Sequence, residues 1–378
     1  MALATHVPGT WDTVLSTTMH NYRKQLTDNI FNSRPLLNYL MSNGRVKTAD
    51  GGYSIIEPLL LGVGDADSYS QWQTINVNAV QGISAAQYLW KQLYATIIIS
   101  GLEEAQNNGK EQVINLVEAK VMQAEETLKN ILSRMLYGTR GAAAHPDTDF
   151  TPFTTLIDST AAAGGITPAA APAPENNWRS TTYDAATGTG MDSQGNAIAA
   201  GAGGWPATGT FDGSELEAVL RKMYTLASDG GSDKPDAIFC GASIFEAYEG
   251  SLTPQVRYTD TSKANLGFQN LMFKNIPIYY DPDCPTGTAL FLNNKYIGLT
   301  LHSERNFKQS PFSSNLGGMD TATSNPRTGT PPNTVSPTTP AAPAGFALDA
   351  RVSFITTYGN TTVRNRRRLA KLVNATFA

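Results

Sequence analysis

The groups in this sequence that could do chemistry are few and widely spaced. His6, His20, His145 and His302 are the imidazoles available as general bases or metal ligands, and no two fall in HExxH or another ligand spacing. None is expected to be catalytic. Cys240 and Cys284 have no neighbouring Cys or His to complete a zinc knuckle, so they read as two reduced, partly buried thiols. Asp65 with Asp67, and Asp281 with Asp283, could serve acid/base or Ca²⁺ chemistry. Without further acids at suitable offsets, DAD and DPDC are better read as turns. Gly109-Lys110 is followed by Glu111 and has no glycine five residues earlier, and the Gly-x-Gly pairs near Gly62, Gly188 and Gly201 do not complete GxGxxG. Ser243, in GASIF, lacks the second glycine of a nucleophile elbow. No catalytic, cofactor-binding or metal residue is expected, and the chain does not read as an enzyme.

One charge cluster stands out. Arg364, Arg366, Arg367, Arg368 and Lys371 have no acid beside them in sequence, and on a strand of period two Arg364, Arg366 and Arg368 would share a face. They could pair with a neighbouring subunit, touch phosphate, or form a solvated edge that discourages aggregation. The subunit-interface reading ranks first. A bidentate arginine at a partly desolvated contact contributes more than scattered phosphate contacts that fade with salt.

The composition of the 378-residue chain agrees. With 28 Lys+Arg against 32 Asp+Glu the net charge is −4, which excludes a histone-like basic surface. Only 16% of residues are charged, against roughly 25% in ordinary soluble domains, so much of the surface is expected to be neutral or covered by partners. The opening MALATHVPGTWD lacks the charged and apolar regions of a secretory signal, and Pro58–Val63 and Ala95–Ile99 are far too short to cross a bilayer. No membrane contact is expected.

The elements that must position these residues follow from periodicity. Leu36–Met41 reads as a short helix between Pro35 and Gly44. Tyr53–Leu61 and Ala85–Ser100 read as two strands of a long arm with a flexible tip, which alone would be marginal in water. From Lys110 to Tyr137, Val113, Val117, Val121, Ala124, Leu128, Ile131 and Met135 make one helical stripe, with a Glu125–Lys129 pair outside it and Gly138 as its end. Residues 139–211, rich in Gly, Ala, Thr and Pro, show no period and read as a long surface excursion. Ser214 and Glu217 look like a capping box for a helix carrying Leu216, Val219, Leu220, Met223 and Leu226. Strands are expected at Asp236–Cys240, Asn275–Asp281 and Thr288–His302, a helix at Ser243–Gly250, and strand character at Val352–Tyr358 and again from Thr362. Met319–Gly345, with six prolines in 27 residues, reads as an extended insertion.

The strings NYRKQLTDNIFNSRPLLNYL, DGGYSIIEPLL, WKQLYATIIISGLEEAQNNGKEQVINLVEAKVMQAEETL, NNWRS, FQNLMFKNIPIYYDPDCP, FLNNKY, HSERNF and the closing NRRR, in this order, resemble the major capsid proteins of tailed bacteriophages. That resemblance implies an α+β Hong Kong 97-type fold. Residues 1–50 would be the N-terminal arm, and 51–99 the extended loop hairpin that overlaps an adjacent subunit. Residues 100–213 would hold the peripheral domain, with its spine helix over 100–137, plus the surface excursion. Residues 214–345 would be the axial α/β domain, carrying the insertion 319–345, and 346–378 the return strands of the peripheral domain. It further implies a virion protein, assembled in the host cytoplasm into hexamers and pentamers around double-stranded DNA. The DNA would be held without sequence-specific contact, and a separate scaffolding or decoration protein is possible. No charged coiled coil precedes the arm, so no fused scaffolding segment is expected. Some such shells are crosslinked from a loop lysine, but no Lys occurs between Gly51 and Trp90. Two alternatives are an encapsulin-like nanocompartment shell and a cytosolic α/β enzyme with a hairpin lid.

Overall fold

A computed structural model describes residues 34–62, 64, 66–74, 82–106, 116–141, 147–169, 173–206, 209–228, 233–252, 271–312 and 350–377. The arm up to residue 33, Asp65, Val113, the histidines at 6, 20 and 145, and the insertion 319–345 lie outside the described residues.

Pro35 opens helix α1 (Pro35–Ser42), where its missing N–H costs nothing, and the chain continues into β1 (Val46–Ala49). Strands β2 (Ser54–Leu60) and β3 (Ile83–Leu89) form an antiparallel hairpin, and β4 (Lys91–Ser100) follows after Trp90. The single strand expected over 85–100 is therefore two. Trp90 leaves the ladder and its Nε1 donates to the Gly52 carbonyl at 2.9 Å, so β3 pairs within the hairpin and β4 pairs in the body. A short helix α2 (Gly101–Gln106) precedes α3 (Leu116–Tyr137), which ends on Gly138 at φ +74°, a left-handed conformation open to glycine. Along α3, Ala124, Leu128, Leu132, Met135 and Leu136 are buried, whereas Val117 stays exposed. Lys129 pairs with Glu126, three residues back, and leaves the expected partner Glu125 out in solvent.

Helix α4 (Phe153–Leu156) and strands β5 (Thr181–Asp184), β6 (Thr189–Met191), β7 (Ala197–Ala199) and β8 (Thr210–Phe211) occupy the stretch expected to be a surface excursion. Phe150, Phe153, Leu156, Trp178, Tyr183 and Phe211 are buried there, too far apart in sequence to make a period. Helix α5 (Gly213–Ala227) is capped by Asp212 and not by Ser214. The Asp212 Oδ1 accepts from the Glu215 N–H at 2.7 Å, and Glu215 Oε2 accepts from the Asp212 N–H at 3.1 Å. The same three-residue spacing occurs two positions earlier than expected. Then come β9 (Ala237–Cys240), α6 (Ala242–Ser251), β10 (Leu271–Phe273), β11 (Ile276–Tyr280), β12 (Ala289–Leu292), β13 (Ile297–His302), β14 (Lys308–Gln309), β15 (Ala350–Val363), β16 (Ala370–Val373) and β17 (Thr376–Phe377).

One sheet runs β1-β13-β15-β14, with β4 antiparallel to β15 from Lys91↔Gly359 to Ser100↔Ala350. The second has eight strands in the order β10-β11-β9-β12-β16-β5-β6-β7. At its centre β9 and β12 are buried on both faces and read as unbroken apolar runs. Ala237, Phe239, Leu290 and Leu292 face the core shared with α1, α3 and the first sheet, while Ile238, Cys240, Ala289 and Phe291 face the core under α5 and α6. The C-terminal segment does not all return to the first sheet. β15 does, but β16 inserts between β12 and β5, so residues 346–378 stitch the two sheets together.

A buried polar clasp joins the layers at the turn between β11 and β12. Asp281 accepts from the Tyr137 hydroxyl at 2.9 Å, the Leu36 N–H at 3.3 Å and the Asp283 N–H at 3.0 Å. Asp283 in turn accepts from Ser133 Oγ at 2.6 Å and from the Arg34 guanidinium. DPDC is thus a turn, and one that ties α1 and the end of α3 to the second sheet.

The arginine cluster is not a strand face. Residues Arg366–Arg368 form a single 3₁₀ turn, capped by the Asn365 side chain accepting from the Arg367 N–H at 3.1 Å, and three residues per turn send the three side chains in different directions. Arg366 points inward and is fully buried. Its Nε donates to the Leu156 carbonyl at 2.8 Å, Nη1 to those of Ala161 and Trp178 at 3.0 Å each, and Nη2 to that of Asp158. Burial pushes its pKa down to about 10, against the opposing pull of Asp158, so it remains charged at neutral pH. Arg179 works alongside, donating to the Ser159 carbonyl at 2.6 Å and the Ala169 carbonyl at 2.8 Å. Two guanidiniums thus satisfy the carbonyls of a loop that has no ladder of its own. Arg366→Lys keeps the charge but replaces a planar fork with one ammonium that cannot reach four carbonyls. Denaturant unfolding of dispersed subunits is expected to show a loss of about 2–4 kcal/mol, from one or two carbonyls left unpaired. An unchanged midpoint would contradict this role.

Candidate subunit interface

The geometry offers no reaction centre among the described residues. No group of three or more His, Cys, Asp or Glu could hold a metal ion there. His302 is committed to structure: its Nδ1 accepts from the Glu304 N–H at 3.1 Å, and its ring lies edge-on to Trp90 and Tyr358 at 5.7 and 6.3 Å. Burial pushes the Cys240 thiol up to about 12 and the Cys284 thiol well above its ordinary value, so neither forms a thiolate nucleophile at neutral pH. Both are free thiols. Burial also raises the Asp281 carboxyl, against hydrogen bonds from Asp283, Tyr137 and Leu36 that favour its charged form. Its hydrogen-bond partners all tie elements of the fold together.

What the chain presents instead is a two-faced hairpin. The inner residues Ile55, Glu57 and Leu59 of β2 and Ala86 and Tyr88 of β3 are buried against the body. Gly164 comes so close to β3 that a Cβ on it would stand 2.6 Å from the Ala86 Cβ, and its carbonyl accepts from the Gln87 N–H at 2.8 Å. The Tyr88 hydroxyl donates to the Val363 carbonyl at 2.8 Å, and Arg364 holds Glu57 through Nη2–Oε1 at 3.0 Å and Nε–Oε2 at 2.8 Å. One face is therefore fixed. The opposite face consists of Ser54, Ile56, Pro58, Leu60, Ile83, Ala85, Gln87 and Leu89, with no charge among them, and Leu60 is 79% and its cross-strand neighbour Ile83 74% exposed. Natural sheets rarely leave so apolar a face uncovered.

At the loop end of this hairpin, where β2 runs out past Leu60, lies a cavity of about 510 Å³. Pro58 to Leu61, Trp178 and Tyr296 line it together with Arg364, Arg367 and Arg368, and no carboxylate is among the described lining residues. Asn177 fixes the arrangement. Its Nδ2 donates to the Leu61 carbonyl at 2.6 Å, and its Oδ1 accepts from Arg367 Nη1 at 3.2 Å. Of the three arginines expected at an interface, Arg364 and Arg368 thus share one cavity, and Arg366 is withdrawn into the protein, where it bonds to its own chain. Arg367 joins the cavity instead. Strand periodicity had placed it on the wrong face, whereas the 3₁₀ turn set up by Asn365 brings it round. Asn177 gave no signal in sequence, because NNWRS has no periodic element around it.

With this geometry in hand, comparisons with known proteins are informative in one respect. No known sequence family matches the chain, and no curated protein matches it. Solved structures do. The cyanophage A-1(L) capsid subunit is 15% identical and superimposes with a TM-score of 0.59 over 96% of this chain and 98% of its own. A gene transfer agent capsid chain is 9% identical, with a TM-score of 0.54 over 98% of this chain and all of its own. The capsid chain of the Myoviridae phage XM1 is 11% identical, with a TM-score of 0.51 over 93% of this chain and 96% of its own. The likeness extends over nearly the whole length of each chain, and the chain accordingly has the Hong Kong 97-type fold of phage capsid proteins.

Proposed function

We propose that the chain is a major capsid protein, a structural subunit that assembles with copies of itself into the hexamers and pentamers of an icosahedral head around double-stranded DNA. The observation that carries this reading is the uncovered outward face of the β2–β3 hairpin. A two-stranded ribbon is marginal in water, and the described residues of the body cover only one of its faces. Covering Ile56, Leu60, Ile83 and Leu89 against a neighbour is worth about 1.5–3 kcal/mol for each side chain. Repeated around a closed ring, contacts of that size hold a shell without any single tight pair. The contact joins unlike patches on adjacent copies, which is the arrangement that closes into rings. Low charge over the whole chain suits a surface that is mostly interface.

In this reading Arg364 and Arg368 act at or beside the subunit contact, through the cavity at the loop end of the hairpin, and packaged DNA is held without sequence-specific contact. The subunit works in the virion, after assembly in the host cytoplasm, with a scaffolding or decoration protein supplied separately if one is used. The encapsulin-like alternative builds the same kind of particle around protein cargo, so the contents separate the two. The enzyme alternative has no observation in its favour.

Purified protein, alone or with co-expressed assembly partners, is expected to give closed, regular particles by negative-stain microscopy. Subunits that remain monomeric under every assembly condition would overturn the shell reading. Because no lysine lies between Gly51 and Trp90, boiled particles are expected to run as a single 40.5 kDa band, and a ladder surviving denaturant and reductant would show a covalent crosslink.

A further inference from the structure

The cavity at the loop end of the hairpin carries more than a general interface role. Its three arginines are not equivalent. Arg364 is neutralised by the bidentate pair with Glu57. Arg367 is different: its side chain donates to the neutral Asn177, and it is half-buried in a pocket with no acid among the described lining residues. A half-buried guanidinium whose hydrogen-bond partner among the described residues is a neutral amide keeps donors for a carboxylate.

We propose that this pocket is a socket for a carboxylate side chain of a second copy of the chain, gripped by Arg367. The inference rests on the shell reading above. The shape of the site favours a side chain over nucleic acid. Non-specific phosphate binding gathers many cations on an open surface, whereas this site is recessed, with Pro58, Leu60, Leu61 and Trp178 as apolar walls. Those walls ask for a carboxylate with apolar surface beside it. Glu125 on α3 has that surrounding. It is exposed and takes no part in the Lys129 pair, and Met122, three residues back on the same helix face, is 48% exposed. Glu246 on α6 is also exposed, but its helix-face neighbours Ala242 and Gly250 offer no such apolar surface. Exposed Leu60 at the pocket rim would then cover Met122 while Glu125 enters. Pocket and helix face are different patches of one subunit, so the contact runs head to tail around a ring.

Arg367→Lys gives the test, because an amine at this position can be joined to a contacting carboxylate by a carbodiimide. DNA-free particles of this variant, assembled from a mixture of ¹⁴N- and ¹⁵N-labelled subunits, are crosslinked and digested. The expected product is a mixed-isotope peptide pair joining position 367 of one copy to Glu125 of another, and a link to any other acid of a second copy equally supports the socket. Links confined to one chain, such as to Glu57, or no link at all in well-formed particles, overturn it. As a second variant, Arg367→Glu is expected to lower particle yield by roughly tenfold or more, with the unfolding midpoint of the dispersed subunit unchanged and with recovery on adding Glu125→Arg. If R367E instead builds normal empty shells and loses only packaged DNA, the pocket serves phosphate and the socket is wrong. Failure of the unaltered protein to form particles would count against the shell reading itself, whereas particles without the crosslink count only against the socket.

Discussion

A two-stranded ribbon with apolar residues on both faces cannot stand alone in water, and much of this structure answers that constraint. The body secures the inner face of the β2–β3 hairpin with several kinds of contact at once. Ile55, Leu59 and Tyr88 are buried, Gly164 allows backbone to meet Ala86, and Arg364 grips Glu57. These attachments fix the direction in which the hairpin leaves the body. The outward face, from Leu60 and Ile83 down to Leu89, is thereby presented in one orientation to whatever covers it. A hairpin free to swing would lose more entropy on each contact made.

The body that does this is built to be stiff. The eight-stranded sheet divides two cores, with β9 and β12 buried on both sides, so neither core can deform without the other. The Asp281 clasp ties the first helix and the end of α3 to that sheet, and removing its carboxylate would strand the Tyr137 hydroxyl and the Leu36 N–H in the interior. Arg366 and Arg179 do comparable work on the other side, holding a loop through carbonyls that no strand pairs. Lys371 adds to this by bonding Asp158. Burial alone would raise the Asp158 carboxyl, but the Lys371 ammonium and the N–H groups of Thr160 and Ala161 outweigh it and hold its pKa at about 2. Because that value lies below the ordinary one, the pair's stabilising effect is complete above about pH 4 and fades as the pH falls towards 2.

Sequence made the periodic parts legible. The part of the α3 stripe at Ala124, Leu128 and Met135, the pairing of two strands in a hairpin, the strand Ala237–Cys240 and the helix after it follow from spacing, and the order of elements with its local strings pointed to the capsid fold. What escaped was held by other physics. Residues 139–211 looked like surface because their structure rests on isolated aromatics such as Phe150, Phe153 and Trp178 and on side chains bonding backbone carbonyls, neither of which leaves a period. The arginine cluster was read with the right residue types and the wrong geometry. One Asn365 cap turns a presumed strand into a 3₁₀ turn, which buries Arg366 and brings Arg367 into the cavity. The split at Trp90 depended on a hydrogen bond to Gly52, thirty-eight residues away, which local pattern cannot show.

If covering the hairpin drives assembly, its outer face must change environment when particles form. Leu60→Cys places a thiol at the loop end of that face, and the native Cys240 and Cys284 are buried with raised pKa values, so a maleimide should report on position 60 alone. Labelling rates are measured for dispersed subunits and for intact particles of the same variant. Rapid labelling of subunits with strong protection in particles is the outcome expected of a shell held together through this face. Equal labelling in both states would mean that the hairpin stays uncovered, and that the shell, if one forms, is held by other surfaces.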